Sequence, residues 1–584
     1  SSVSIASDNT NTSKAKAGDN VTLTFTASKS IATPTVTFRS GGDAITDGSV
    51  VYSNTSGNTW TAVYTSNASD TDGAVTYSIA FSDTAGNAGT AVTSGSGSVT
   101  TDTTAPTLSN VSITSDNSTS TLAKANDDVT LTFTASEAIG TPVVTFRSGG
   151  DAITDGSVVY SNTSGNTWTA VYTSNASDTD GAVTYSIAFS DTAGNAGTAV
   201  TSGSGSVTTD TTAPTLSNVS ITSDNSTSTL AKANDDVTLT FTASKSIATP
   251  TVTFRSGGDA ITDGSVVYSN TSGNTWTAVY TSNASDTDGA VTYSIAFSDT
   301  AGNAGTAVTS GSGSVTTDTT APTLSNVSIT SDNSTSTLAK ANDDVTLTFT
   351  ASKSIATPTV TFRSGGDAIT DGSVVYSNTS GNTWTAVYTS NASDTDGAVT
   401  YSIAFSDTAG NAGTAVTSGS GSVTTDTTAP TLSSVSIASD NTNTSKAKAG
   451  DNVTLTFTAS KSIATPTVTF ASGGSPVNGN VTVQNTSGNT WTASFAAQTN
   501  STDGPVTFSV SFNDTVGNAG TAVTATSDGT SVAIDNSAPT LSSVSIASDN
   551  TNTSKAKAGD NVTLTFTASK SIATPTVTFR SGGD

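Results

Sequence analysis

Val129, Leu131 and Phe133 alternate with Thr130, Thr132 and Thr134. A period of two places the apolar side chains on one face of a half-buried strand and the threonines on the other. The stretch 105–212 is patterned this way throughout. Leu108, Val111 and Ile113 predict a first strand and residues 143–147 a third. Residues 157–161 and 167–173 predict a pair around the turn Asn162-Thr163-Ser164-Gly165-Asn166. Val183, Tyr185, Ile187 and Phe189 alternate in a sixth, and a weaker, Gly-interrupted seventh is expected near 198–208. No stretch combines helix periodicity with helix-forming residues. Short antiparallel strands separated by turn signals predict an all-β chain of β-sandwiches. An immunoglobulin-like strand order is assumed; the fibronectin-type order is a close competitor that periodicity does not separate.

The pattern recurs. Ala-Pro-Thr-Leu-Ser begins at Ala105, Ala213, Ala321, Ala429 and Ala538, a period of 108 residues with one step of 109. That length is too long for a solenoid turn and sufficient for a small domain. The expected modules are therefore 1–104 (its start truncated), 105–212, 213–320, 321–428, a divergent 429–537, and a partial 538–584. In series they would form an elongated rod. Residues 1–43 repeat as 542–584, so the sequence reads as a window on a longer repeat array. The partial sixth module supplies only strands one to three and is expected to leave sheet edges open. Pro106, Pro214, Pro322, Pro430 and Pro539 hold each short linker extended.

Composition narrows the chemistry. The 584 residues include no Cys, His or Met, and 45 acidic against 19 basic residues give a formal charge of −26. Thiol nucleophiles, the usual zinc ligands and neutral-pH imidazole bases are absent. The negative charge disfavours nucleic acid as a partner, and no apolar run is long enough for a spanning helix. Paired aspartates serve glycoside hydrolysis in other settings, but here they belong to exterior loops duplicated in every module, so no enzyme is expected.

Each complete module has one tryptophan: Trp60, Trp168, Trp276, Trp384 and Trp491. Trp168 shares a face with Ala170 and Tyr172, which favours a core position over a sugar-stacking patch; its indole nitrogen then needs a partner. Thr130, Thr132 and Thr134 read as a solvated β-favouring face rather than an ice-matching lattice, because sandwich sheets twist. Glu137 stands where neighbouring modules have Lys29 and Lys245. That reversal predicts an exposed position without shared chemistry.

The carboxylates gather in loops. In an immunoglobulin-like sandwich the loops after the first and fifth strands lie near the outgoing end, and the loop after the sixth lies near the incoming end. Acidic groups from two modules and their linker should then converge at each joint. The expected sets are Asp19, Asp72, Asp102 and Asp191; Asp128, Asp180, Asp210 and Asp299; Asp236, Asp288, Asp318 and Asp407; and Asp344, Asp396, Asp426 and Asp514. Module five would contribute Asp451, Asp503 and Asp535 at its outgoing end. Converging carboxylates repel, so they either splay into water, share protons or hold a hard cation. Oxygen-only donors suit Ca²⁺, which accepts six to eight ligands with loose geometry.

Asp-Thr-Thr-Ala-Pro-Thr at 102–107, 210–215, 318–323 and 426–431, and Asp-Thr-Ala-Gly-Asn at 83–87, 191–195, 299–303 and 407–411, give the chain a resemblance to the bacterial immunoglobulin-like repeats of giant secreted adhesins. Module five varies them as Asp-Asn-Ser-Ala-Pro-Thr at 535–540 and Asp-Thr-Val-Gly-Asn at 514–518. The resemblance implies a non-enzymatic extracellular or cell-surface stalk that extends a remote binding domain, with Ca²⁺ between modules. The alternative is a subunit of a surface layer or extracellular filament, in which other copies of the chain would be lateral partners.

Overall fold

A computed structural model describes residues 2–154 and 156–582. The chain divides into two compact units, Ser1–Thr319 and Thr320–Asp584. The first holds modules one to three; the second holds modules four and five and the partial sixth.

Module one shows the plan. Its strands are β1 (Val3–Ser7), β2 (Lys14–Ala15), β3 (Asn20–Thr26), β4 (Thr35–Ser40), β5 (Asp43–Ala44), β6 (Val51–Ser56), β7 (Thr59–Thr65), β8 (Gly73–Ala80) and β9 (Thr100–Thr101). One sheet runs β1-β3-β7-β6 and the other β2-β9-β8-β4-β5. All neighbours are antiparallel except β2 and β9, which pair in parallel through Lys14↔Thr100 and Ala15↔Thr101. The four-stranded sheet has the ABED order of an immunoglobulin sandwich, and the second carries C, F and G with a short extra strand beside C. A fibronectin-type module would lack β6 on the first sheet. The same pair of sheets repeats through module five, so the fold is a tandem array of all-β immunoglobulin-like modules.

Alternation builds the core. Val129, Leu131 and Phe133 are fully buried, and their strand Asp128–Ala135 pairs with Thr167–Thr173 in the register Phe133↔Trp168 and Leu131↔Ala170. Across the sandwich the rings of Phe146 and Tyr172 lie 4.8 Å apart. Trp168 packs against the core while remaining partly exposed; Trp491 is buried. The Trp60 nitrogen is buried with no hydrogen-bond partner among the described residues. The threonine face is half-buried, with the hydroxyls of Thr134 and Thr167 3.2 Å apart.

Some expected elements differ. The 159–164 strand extends to within two residues of its partner, closing at Ser164↔Thr167, because Gly165 takes φ 57° and permits the tight turn. The seventh strand is reduced to Thr208–Thr209. Before it the chain is held by isolated bridges such as Ile187↔Val200 and Ser112↔Ser204 and by single backbone hydrogen bonds such as Val183 N–H to the Val207 carbonyl, as its glycines and lack of alternation dictate. Among the described residues of the partial sixth module only Leu541–Ser548 and Val562–Ala568 pair. The third expected strand does not form, and Leu541, Ile546 and Phe579 are exposed.

Candidate joint between modules

The Asp-Thr-Ala-Gly-Asn loop folds around its own first residue. The Oδ1 of Asp191 accepts from the backbone N–H groups of Ala193 (2.9 Å) and Asn195 (2.8 Å). The Asn195 amide then donates to Asp191 Oδ2 and to the carbonyl of the linker residue Asp102, each at 2.7 Å. Asn303 clamps Asp210 in the same way (2.7 Å), as does Asn518 with Asp426 (2.7 Å). The linker aspartate is tied back to the preceding module, since Asp102 N donates to the Ala15 carbonyl at 2.9 Å.

A second contact crosses the joint. Asn117 of module two donates its amide to Asp127 Oδ2 (2.6 Å) and to the Ala301 carbonyl of module three (2.9 Å). Asn9 does the same toward Asp19 (2.5 Å) and Ala193 (2.8 Å), and Asn333 toward Asp343 (2.6 Å) and Val516 (3.0 Å). Burial raises the Asp127 carboxyl, but the hydrogen bonds from Asn117 and Lys124 outweigh it and hold the group below its ordinary value.

These contacts revise the expected acidic sets. Asp128, Asp236 and Asp344 are engaged within their own modules: each accepts from a threonine on the adjacent strand, Thr173, Thr281 and Thr389, at 2.7 Å. The preceding aspartate, equivalent to Asp19, faces the joint instead. Asp72, Asp180, Asp288 and Asp396 fold the linker, accepting from the backbone N–H of Thr103, Thr211, Thr319 and Thr427 at 2.7 Å. Asp503 does so from Asn536 at 2.7 Å. Burial opposes ionisation of Asp72, yet hydrogen bonds led by Thr104 leave it below the usual range. Gly73 fixes this aspartate's position: it sits at φ 144°, and a Cβ there would lie 2.7 Å from the Gly41 Cα. Asp451 is engaged by the Lys448 backbone and Asn441, which hold it at about 2.

The linker and loop aspartates do meet, and a lysine meets them. Lys245 Nζ lies 2.6 Å from Asp210 Oδ1, 3.4 Å from Asp299 Oδ2 and 2.5 Å from the Thr212 carbonyl. Lys461 repeats this with Asp426 (2.6 Å), Asp514 (3.4 Å) and the Thr428 carbonyl (2.5 Å). Lys570 lies 2.6 Å from Asp535. Lys29 reaches Asp83 at 2.6 Å, and Lys353 reaches Asp407 at 3.2 Å. Asp318 is anchored through its N–H to the Ala231 carbonyl at 2.8 Å. Burial alone would lower the Lys245 ammonium, but Asp210 and Asp299 raise it overall. At Lys245 and Lys461 the position is therefore half-buried and repeats one set of contacts, contrary to the expectation drawn from the Glu137 reversal, whereas Lys29 in module one is exposed.

At the joint of modules one and two that reversal changes the site. Glu137 joins Asp102 and Asp191, with one carboxylate oxygen of each within 4.8 Å of the others. Asp191 is buried and Asp102 and Glu137 are half-buried. Burial, then the Asp191 charge, raise the Asp102 carboxyl, only partly offset by Lys14, whose ammonium is 3.5 Å away. Glu137 is raised by burial and then by Asp102 and Asp191. The three-oxygen donor set fits a hard divalent cation. Where Lys245 and Lys461 stand, the ammonium already lies against the same two aspartates, so that arrangement does not fit one.

No family model matches the chain, and no curated protein matches it. Solved structures similar to it include a tetra-tandem repeat from the extending region of a large adhesion protein (19% identity over 73% of this chain and 100% of that one, TM-score 0.29). A titin I-band fragment, I67–I69, matches at 12% identity over 56% of this chain and 100% of that one, TM-score 0.27. The eight N-terminal immunoglobulin domains of a Down syndrome cell adhesion molecule match at 13% identity over 88% of this chain and 66% of that one, TM-score 0.21. All are tandem arrays, and the likeness is one of fold.

Proposed function

We propose that this chain is a non-enzymatic spacer: the extracellular stalk of a large bacterial surface adhesin, with calcium at the joint of modules one and two. The observation that carries this reading is the joint itself. Each complete module has its own core, and the repeated loop motifs are used to grip the linker and the neighbouring module. Asn195 and Asn303 clamp linker carbonyls, while Asn9 and Asn117 cross to the neighbour. A chain that uses its most regular polar residues this way is organised to hold modules in series.

Asp102, Glu137 and Asp191 would hold the ion. Ca²⁺ would supply charge neutralisation among three groups that otherwise repel, and it would favour the closed joint by mass action. Calorimetry on chelator-stripped chain should show Ca²⁺ binding that Glu137→Gln weakens, with the β-sheet circular dichroism retained when the ion is removed. Absence of binding at millimolar Ca²⁺ would end the calcium reading. Electron microscopy decides the stalk: isolated thin strands support it, whereas regular sheets or bundles would show a laterally assembled layer.

A further inference from the structure

One position changes sign while its surroundings stay constant. Asp102 and Asp191, Asp210 and Asp299, and Asp426 and Asp514 are the same linker–loop pair in three joints, each clamped by the same asparagine. The third group is Glu137 at the joint of modules one and two, Lys245 at that of modules two and three, and Lys461 at that of modules four and five. In the lysine joints the ammonium bridges both carboxylates and a linker carbonyl, so the charge that must be neutralised is neutralised from within the chain. In the glutamate joint a third carboxylate takes that place, and Lys14 approaches only Asp102.

We propose that this single residue specifies which cation closes each joint. Lysine makes the joints of modules two and three and of modules four and five self-sufficient. Glutamate makes the joint of modules one and two dependent on a soluble divalent cation. The glutamate half rests on the calcium reading above; the lysine half stands on the ammonium contacts alone. One array therefore combines a joint that responds to calcium with joints that do not, and the difference is written at one position per module.

The absence of cysteine allows a direct test in the full chain. Introduced cysteines at the exposed residues Thr55 and Thr163 carry a dye pair across the first joint; Thr163 and Thr271 carry one across the second. In the native chain, chelator should broaden the distance distribution across the first joint and leave the second unchanged. Lys245→Glu should make the second joint respond to calcium, and Glu137→Lys should abolish the response of the first. Lys245→Met, which keeps the apolar stem and removes the ammonium, should raise the open population of the second joint about two- to fivefold in chelator. Calcium should not reverse that change. Circular dichroism and tryptophan emission check that the modules stay folded.

A second joint that loosens on chelation in the native chain would overturn the proposal. So would a Lys245→Met chain indistinguishable from native in chelator, or a Lys245→Glu chain indifferent to calcium while the native first joint responds. If the native first joint ignores calcium, the calcium reading fails and the glutamate half with it. Lys245→Met then decides the lysine half by itself.

Discussion

Replacing Asn117 with alanine should loosen the joint of modules two and three and weaken module two in a pH-dependent way. The side chain has two donors in use. One closes the module through the buried Asp127 at 2.6 Å, and the other crosses to the Ala301 carbonyl at 2.9 Å. Its oxygen also accepts from the Thr119 backbone at 3.0 Å. Loss of a neutral hydrogen bond across the joint is worth about 1 kcal/mol, or about a fivefold rise in the open population. Loss of the bond to a carboxylate costs about 1.5–3 kcal/mol within the module. The acid dependence follows from the direction of the Asp127 shift. A folded-state value below the unfolded one contributes stability that is present above the ordinary carboxylate value and lost as pH falls through the folded value. Without Asn117 that contribution shrinks, so the variant should lose less stability between neutral and acid pH than the native chain does. Dye pairs across the joint measure the first effect, and urea titrations at pH 7 and pH 3 measure the second. An unchanged distance distribution would show that the cross-joint bond holds nothing, and equal acid sensitivity in both chains would show that Asn117 does not depress Asp127.

Tyr64, Tyr172, Tyr280 and Tyr388 changed together to phenylalanine should leave stability unchanged or slightly raised. Burying a hydroxyl without a good partner costs about 1–3 kcal/mol; those of Tyr172, Tyr280 and Tyr388 lie beside Thr209, Thr317 and Thr425 without a well-formed hydrogen bond, Tyr64 makes a long 3.3 Å contact with Thr101, and module five already carries Phe495 there, 2% exposed. A drop in the urea midpoint of the four-module transition would contradict this. Burial pushes the same four phenols to about 12, so ultraviolet titration should show a late class of four among the 12 tyrosines. Leu131→Ala, at a site with 0% exposure, should cost module two about 2–5 kcal/mol, whereas Val159→Ala, at 62% exposure, should cost less than about 0.5 kcal/mol; equal effects in denaturant titrations would contradict the assigned core. Gly73→Ala should destabilise module one, because the new Cβ meets the Gly41 backbone; native-like amide exchange at residues 41–73 would refute that.

The strands were legible because alternation is a local property: Val129, Leu131 and Phe133 need only their own neighbours to declare a face. The joint was partly legible. The linker and loop aspartates announce themselves by repetition, and Asp102 and Asp191 do meet. Choosing between Asp127 and Asp128 was not possible from charge. The usable signal was register, since module one has only Asp19 at this point and Asn20 follows it. Asn117 lay outside any charge pattern, although an asparagine stands at that place in every module. Glu137 and Lys245 were misleading for a physical reason: a sign change looks like indifference when only one residue is seen, and becomes meaningful once the two constant aspartates are beside it. The two-residue strand β2 escaped notice, and of the expected seventh strand only its end persists as β9, because pairing between distant segments leaves no periodicity.

That short parallel pairing has a mechanical consequence. In module two the first and last segments meet through Leu122↔Thr208, Ala123↔Thr209 and the parallel bridge Ser112↔Ser204. The chain enters before the first of these segments and leaves after the last. A pull on the two linkers drives parallel neighbours past each other, so their bonds share the load at once instead of opening one after another, as an antiparallel hairpin pulled from its ends would. Tension carried along the chain thus reaches modules one to four at a shear clamp, and the threonines next to the linker, rather than the large hydrophobic core, are the first to resist it.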